Sequence, residues 1–559
     1  MRPTLTGGRT WRGTAGGRRR AALRGCSRSP LFRSWLNNRK NDSEKAHLPG
    51  LFEKYIEPVQ EELRRNFKTV VPIRHINQVM STCWILEGLL PEKVDSPEVM
   101  EQCFAYALWW AFGGALVVDK KDNMREKLHE FLLVLFAGNV HVPKEPAGAT
   151  CFDFMYRYDA ASKTGEFVHF STMLQEYVPV PVGNAEGQTP FRSIVVPTVD
   201  SIASSAIMSL LVYTGHACMF VGTAGTGKTT LVKEYLRTLD EERFISTVIN
   251  VNYYMDSSSL QALLDGSIDK RSGKVYGPKA GKKLIYYVDD LNLPYLEQFG
   301  TQNALSLLRQ VMDHRQCYDR DALDICKELV DVQFVSSMNP TSGSFTIDER
   351  LQRHFATFAC VMPGVSDLRK IYQSVLEGHF ATFSPDVAGV ATSIVNASIA
   401  LHEAMCLKFL PSATRFVYNW NMRELSNLMQ NVCLARGDFY KSTLKVSRLW
   451  VHECRRVFGD RLISDVDADK FSGTLKDYVS KFLPDALEEV WMEPNIHTSF
   501  AFQPAGGGEA LYLPVLSMDR LAKTLNDKLE VRWRARVARA GAAWVVIRRA
   551  RRSITSRAP

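Results

Sequence analysis

The sequence contains no C-x-x-C pair among its eleven cysteines, and no stretch resembles a secretory leader with an apolar core. These absences argue against a zinc site or a disulfide framework, and they predict a reducing compartment inside the cell. The sequence also lacks an apolar run of the roughly 20 residues that a membrane-spanning helix needs. The longest run, residues 104–118, has fifteen residues, and we expect it to form a buried helix with close packing at Gly113 and Gly114.

Acidic residues are absent from both ends of the chain. Residues 1–30 carry eight arginines and residues 531–559 carry nine, in a composition that we expect to be disordered. One explanation is a mitochondrial presequence and a basic tail. The other, which we favour, is non-coding sequence joined to the reading frame in a gene prediction. These seventeen arginines exceed the formal net charge of +9, so residues 31–530 carry a formal net charge of −8, which offers no basic groove for a nucleic acid.

The pattern of apolar residues divides the rest of the chain. Residues 31–140 show helical spacing, and residues 141–184, which are rich in proline and glycine, are typical of a linker with a small strand-bearing segment. Helical spacing returns over residues 363–460, and residues 461–530 are mixed. The helices predicted between residues 363 and 460 cover residues 368–376, 387–407, 422–433 and 446–458.

Residues 185–362 alternate short apolar runs with amphipathic stretches. The runs are short enough for buried parallel strands, so the pattern predicts an α/β fold with a parallel sheet flanked by helices. The predicted strands are residues 218–221, 247–251, 284–288 and 332–335.

A phosphate-binding motif follows the first of these strands. Residues 222–229 fit the pattern G-x-x-x-x-G-K-[ST], between a strand ending at Val221 and a helix beginning near Thr230. The backbone amides of such a loop point at phosphates, and the positive end of the helix dipole adds to the attraction. Lys228 is expected to contact the β- and γ-phosphates, and the Thr229 hydroxyl to bind Mg²⁺. The predicted nucleotide-binding residues are Gly222, Thr223, Ala224, Gly225, Thr226, Gly227, Lys228, Thr229 and Thr230.

Two carboxylates end the third predicted strand. We expect this strand to lie next to the one that ends at Val221, so that Asp289 helps to hold the magnesium ion near Thr229. Asp290 stands where nucleotide-hydrolysing relatives usually carry a glutamate that polarises water, and its side chain is one methylene shorter. Asn339 follows the next strand, where its amide could contact the γ-phosphate. The alternatives are an exposed pair of turn carboxylates and an ordinary Asn-Pro turn.

Several motifs together resemble the AAA+ modules of dynein heavy chains, most closely the third module of an axonemal heavy chain. The resemblance extends from about residue 31 to residue 530. The motifs are V-G-T-A-G-T-G-K-T at 221–229, Y-G-P at 276–278, V-D-D-L-N-L-P at 288–294, Y-D-R at 318–320, M-N-P-T at 338–341 and R-L-Q-R-H-F at 350–355.

The resemblance implies an assignment for each segment. Residues 31–140 would be the helical C-terminal part of the second module, and residues 141–184 a linker. Residues 185–362 would be the large α/β subdomain of the third module, and residues 363–460 its helical lid. Residues 461–530 would lead into a fourth module.

The same resemblance implies roles for residues outside the loop. Pro197 lies in the segment that cups the adenine ring, and Arg423 matches a lid arginine that contacts the γ-phosphate. Without the resemblance we would interpret Arg423 as a solvated helix residue. Arg350 and Arg353 match the arginine-finger region, which serves the nucleotide of the neighbouring module.

The function implied is that of an ATP- and Mg²⁺-binding module of a minus-end-directed microtubule motor that moves cilia and flagella. Its partners would be the other modules of a dynein ring, dynein intermediate and light chains, and microtubules, in the cytoplasm and the axonemal cytoskeleton. The sequence shows no heptad hairpin for a microtubule-binding stalk, so we expect a part of such a motor. Within that resemblance the site either hydrolyses ATP slowly or, because Asp290 replaces glutamate, only binds it as a switch. A separate hypothesis, an independent P-loop enzyme or helicase, predicts salt-dependent nucleic-acid binding by the basic ends.

Overall fold

The structure is a computed structural model that describes residues 30–530 with short gaps, so residues 1–29 and 531–559, which include all seventeen arginines of the two basic ends, lie outside the described residues. The gaps are residues 91–93, 95, 120–121, 139, 141–145, 147, 160–161, 184–187, 341–346, 485–487, 500–501 and 503–510. The chain forms two compact units. Among the described residues, the first unit comprises residues 30–176 and 197–363, and the second comprises residues 177–196 and 364–530.

The first part of unit 1 is mostly helical. Its longest helix begins after Asn41, whose side chain accepts a hydrogen bond from the backbone N–H of Ser43. Phe52, Tyr55 and Ile56 of this helix are at most 1% exposed, because three- and four-residue spacing places them on one face. The elements are α1 Pro30–Asn37, α2 Asp42–Asn66, α3 His75–Leu89, α4 Pro97–Leu108, β1 Val118–Asp119, β2 Asp122–Asn123, α5 Met124–Leu135, β3 Phe154–Asp159 and β4 Thr164–His169.

The apolar run at residues 104–118 is buried, but it is not one helix. Helix α4 continues as a π-helix over Trp109–Gly113, and the chain then leaves the helix to form strand β1. A Cβ atom at Gly113 would lie 2.3 Å from the Phe152 ring, so the close packing expected at this glycine is present. The prediction of a helix was wrong for the C-terminal part of this run.

A five-stranded parallel sheet forms the centre of unit 1. Its strand order is β13-β5-β12-β9-β6, and each neighbouring pair is parallel. The predicted α/β fold and all four predicted strands are therefore confirmed. These elements are α6 Val199–Thr214, β5 Ala217–Val221, α7 Lys228–Thr238, β6 Phe244–Asn250, α8 Ser257–Asp265, β9 Lys283–Asp289, α9 Asn303–His314, β12 Val332–Met338, α10 Glu349–Gln352 and β13 Phe355–Ala359.

A second sheet of four short strands was not predicted. Its order is β10-β11-β8-β7, and it is built from segments inserted before β9 and before β12. Lys327 joins it to helix α8, because its ammonium is 3.2 Å from the Asp265 carboxylate; the ammonium is also 2.9 Å from the carboxylate of Asp319, just after β10. The strands are β7 Asp269–Ser272, β8 Val275–Gly277, β10 Gln316–Tyr318 and β11 Cys326–Leu329.

In its described residues, unit 2 is a helical bundle with one short strand pair, β14 and β15. Helix α12 would suit a membrane span by length and mean hydropathy, but 56% of its most apolar 18-residue stretch is buried within the protein. Trp450 is fully buried, and its indole N–H donates to the Ser398 hydroxyl at 2.8 Å. The elements are α11 Val365–Phe380, α12 Pro385–Lys408, α13 Met422–Val432, α14 Thr443–Val457, α15 Asp465–Phe482, β14 His497–Thr498 and β15 Leu513–Pro514. Four of these helices correspond to the four that the sequence predicts, and α13 and α14 each end one residue earlier than predicted.

Candidate functional site

The loop that joins β5 to α7 curls tightly because of its glycines. Gly225 and Gly227 both have φ of 85°, a left-handed conformation that side-chain-bearing residues rarely adopt. Gly222 packs against the residue that follows β13, and a Cβ atom there would lie 2.5 Å from the carbonyl oxygen of Cys360. The Cys360 N–H in turn donates to the Val221 carbonyl at 2.8 Å. The loop is thus held against the end of a second strand.

Lys228 begins helix α7, and its ammonium lies inside the loop. Nζ donates to the carbonyl oxygens of Gly222 and Thr223, each at 2.8 Å, and the residue is 7% exposed. The Thr226 hydroxyl closes the same turn by donating to the Thr223 carbonyl at 3.1 Å. This buried ammonium bonds to neutral carbonyl oxygens, which are weaker acceptors than charged phosphate oxygens. Phosphate oxygens would therefore replace the carbonyl oxygens as its partners.

Thr229 and Asp289 meet at the carboxyl edge of the sheet. The Thr229 hydroxyl donates to Asp289 Oδ2 at 2.9 Å and lies 3.2 Å from Oδ1. The expectation that their two strands are neighbours was wrong, because β12 lies between β5 and β9. The residues still meet, since Thr229 is in the first turn of α7 and not at the end of β5.

Two further hydroxyls surround the Asp289 carboxylate. The Tyr287 phenol donates to Asp289 Oδ1 at 2.9 Å, and the Ser337 hydroxyl donates to the same oxygen. Burial, reinforced by the negative charge of Asp289, raises the pKa of Tyr287, so the phenol keeps its proton. Neither residue was predicted. The signal for Tyr287 was present in the sequence, since it stands two residues before Asp289 and therefore on the same face of strand β9, whereas Ser337 lies on a different strand.

Asp290 has an unusual backbone conformation. Its φ is 57°, in the left-handed region where Asp and Asn are tolerated better than most residues. The next residues turn back toward β12: the Leu291 N–H donates to the Ser337 carbonyl at 3.0 Å, and Asn292 Nδ2 donates to the Asn339 carbonyl at 2.8 Å. Asn339 is buried at the end of β12. Asp290 and Asn339 thus both follow strands at the edge of the sheet that carries the loop.

The structure places each of the remaining predicted residues on its own element. Pro197 directly precedes Thr198, which caps helix α6. Arg350 is exposed, and Arg353 forms an ion pair with Asp313 of helix α9. Arg423 belongs to unit 2, where it is exposed in the first turn of α13.

The residues of the loop fit a magnesium-bound nucleoside triphosphate. A carboxylate and a hydroxyl from Asp289 and Thr229 are hard oxygen ligands of the kind that Mg²⁺ prefers. Lys228 and the N-terminus of α7 supply positive charge at one place, which suits phosphate. When bound, the metal ion would neutralise phosphate charge, and Thr229 and Asp289 would hold it.

Three family models match the chain. A P-loop containing dynein motor region matches residues 184–363, a dynein heavy chain AAA lid domain matches residues 48–172, and an AAA+ lid domain matches residues 394–493. The first of these includes the whole loop, Asp289 and Asn339.

The chain is also similar to curated proteins, and each match covers most of the chain. It is 35% identical over 511 residues to the flagellar outer-arm dynein beta chain of Chlamydomonas reinhardtii, a match that covers 89% of the chain. It is 37% identical over 509 residues to the ciliary dynein beta chain of Heliocidaris crassispina and 36% identical to human dynein axonemal heavy chain 17, and each match covers 90% of the chain. The chain spans 11% of the length of each of these three relatives.

Proposed function

Because the chain belongs to the axonemal dynein heavy chains, as a segment of their AAA+ motor region, we propose that residues 222–229 bind the phosphates of ATP. Thr229 and Asp289 would hold the accompanying Mg²⁺. The observation that carries this proposal is the 2.9 Å contact between the Thr229 hydroxyl and the Asp289 carboxylate, beside a loop that encloses the Lys228 ammonium.

Each proposed role follows from the chemistry of the group. The backbone amides of the loop and the N-terminus of α7 would bind phosphate oxygens, and Lys228 would exchange two carbonyl partners for them. Asn339 and Arg423 would contact the γ-phosphate, and Pro197 would border the adenine. Arg350 and Arg353 would act on the nucleotide of a neighbouring module, and Arg353 would have to leave Asp313 to do so.

At the level of the whole protein, we propose that this segment, the end of a second module and a third module, works in the ring of a minus-end-directed microtubule motor. The names of its relatives, which include flagellar outer-arm and ciliary chains, support an axonemal location. The other modules of the ring, intermediate and light chains, and microtubules would be its partners.

The test of the binding site is ATP affinity in the full chain, measured with Mg²⁺ present. Lys228→Ala removes the buried ammonium, and hydrogen bonds to charged groups contribute about 1.5–3 kcal/mol, so we expect a loss of roughly 10- to 100-fold. Lys233→Ala is the matched control, because it removes the same charge from the same helix five residues further on. Equal affinity in Lys228→Ala and the wild type would refute the proposed site.

A second experiment separates slow hydrolysis from a nucleotide-binding switch. A switch is favoured by Asp290, whose left-handed backbone suits Asp and whose carboxylate is one methylene shorter than that of Glu. If Asp290→Glu raises the rate of phosphate release many-fold above the wild type, the native site is a switch. If the wild type already releases phosphate and Asp290→Glu is no faster, the site hydrolyses ATP by itself.

A further inference from the structure

The Asp289 carboxylate accepts hydrogen bonds from three side-chain hydroxyls. Oδ1 accepts from Tyr287 at 2.9 Å and from Ser337, while Oδ2 accepts from Thr229 at 2.9 Å. The Tyr287 and Ser337 hydroxyls are themselves 3.0 Å apart. Three side chains from two strands and one helix therefore converge on a single carboxylate.

The sheet register explains how the two strands bring these hydroxyls together. Tyr287 and Asp289 alternate on one face of β9. On the adjacent strand, Ser336 pairs with Val288, so Ser337 is one residue further toward the same edge as Asp289. Tyr287 and Ser337 are both fully buried. Bulk water does not reach these hydroxyls. If either hydroxyl is removed, a bulk water molecule therefore does not replace it as a hydrogen-bond donor to the carboxylate.

We propose that Tyr287 and Ser337 are positioning residues, which hold Asp289 Oδ1 so that Oδ2 faces Thr229 and the magnesium ion of the bound nucleotide. This inference rests on the proposed ATP site. Groups that orient a metal ligand commonly change metal affinity by about 10- to 100-fold when they are removed. The consequence here is that the two hydroxyls support the Mg²⁺-dependent part of nucleotide affinity, and not the part that the loop supplies without metal.

The chain offers a matched control for each residue. Tyr286 is also buried, but it lies on the other face of β9 and its hydroxyl donates to the Leu264 carbonyl. Ser336 is buried next to Ser337, and its hydroxyl has no hydrogen-bond partner among the described residues. Tyr286→Phe and Ser336→Ala thus make the same chemical changes as Tyr287→Phe and Ser337→Ala at positions that do not touch Asp289.

The experiment measures the dissociation constant of ATP for the full chain, in Mg²⁺ and in EDTA, together with the Mg²⁺ concentration that gives half of the gain in affinity. We expect Tyr287→Phe and Ser337→Ala each to lower the ratio of the two affinities by about tenfold and to raise that Mg²⁺ concentration. The two controls should keep the wild-type ratio. The electron paramagnetic resonance spectrum of Mn²⁺ in place of Mg²⁺ should broaden or shift in the first pair only.

The outcomes distinguish this inference from the proposed site. If the wild type binds ATP more tightly with Mg²⁺ and both Tyr287→Phe and Ser337→Ala keep the wild-type ratio, the positioning role is wrong and the ATP site stands. An equal fall in the ratio for the controls would also overturn it, since the effect would then come from general loosening of the sheet. A wild type that binds no nucleotide would overturn both the site and the inference.

Discussion

Gly222→Ala tests whether the loop depends on close contact with the end of β13. The new Cβ atom would lie 2.5 Å from the Cys360 carbonyl oxygen and 3.2 Å from the Cys360 Cβ. Ordinary van der Waals contact begins at 3.4 Å, so the loop and the strand end have to separate by about 0.9 Å. The first obstacle is a backbone atom, so a side-chain rotation cannot relieve the clash.

The cost follows from this separation. Overpacking a tight site typically costs about 1–3 kcal/mol of stability. Because a displacement of about 1 Å can lower the rate of an enzyme by about 100-fold, we expect the comparable displacement of these phosphate-binding amides to lower ATP affinity by at least tenfold. The assays are urea unfolding of the full chain and ATP titration in Mg²⁺.

Gly215→Ala provides the control. Gly215 ends helix α6 with φ of 84°, and nothing lies within 4 Å of a Cβ atom there. Its substitution should cost about 1–2 kcal/mol of stability through the left-handed backbone alone, with no change in ATP affinity. Our reasoning is refuted if Gly222→Ala binds ATP as tightly as Gly215→Ala does.

Three further predictions concern other parts of the chain. Burial and the neighbouring His452 lower the pKa of His497 to about 3. Below about pH 6.5 the unfolded chain therefore binds a proton that the folded chain does not bind, and unit 2 should lose about 2 kcal/mol of stability between pH 7.5 and 5. Urea titrations of His497→Asn should lack this loss of stability. Arg353→Ala breaks the ion pair with Asp313 at the edge of the sheet opposite the loop, so the ATP affinity of this site should stay within about twofold of the wild-type value. A larger change in an ATP titration would contradict this placement of Arg353. Leu428→Ala leaves a cavity at a fully buried position in helix α13, and calorimetry should show unit 2 destabilised by about 2–5 kcal/mol. A loss of stability below about 1 kcal/mol would mean that this core is loosely packed.

The sequence predicted the elements of the site better than their arrangement. The run before Gly222 and the run before Asp289 are almost wholly buried strands, so their apolar character alone identified them. Local pattern carries no information on strand order, which is why β12 was not expected between them. Strand β13, Phe355–Ala359, was not among the predicted strands, although it is as long as β5. The role of Ser337 depends on the register between β12 and β9, which only the folded chain reveals.

The apolar core of unit 1 crosses the boundary between the two dynein-related segments. Trp110, from the helical part, contacts Phe358 of β13 edge to face, and Phe358 also packs on Phe220 of β5. The Arg125 side chain donates to the Ala359 carbonyl at 3.2 Å. Trimming the protein to the P-loop segment for crystallisation would therefore expose the apolar residues of the sheet that Trp110 and its neighbours cover, and the shortened polypeptide should aggregate. A workable truncation keeps the helices that begin at Pro30.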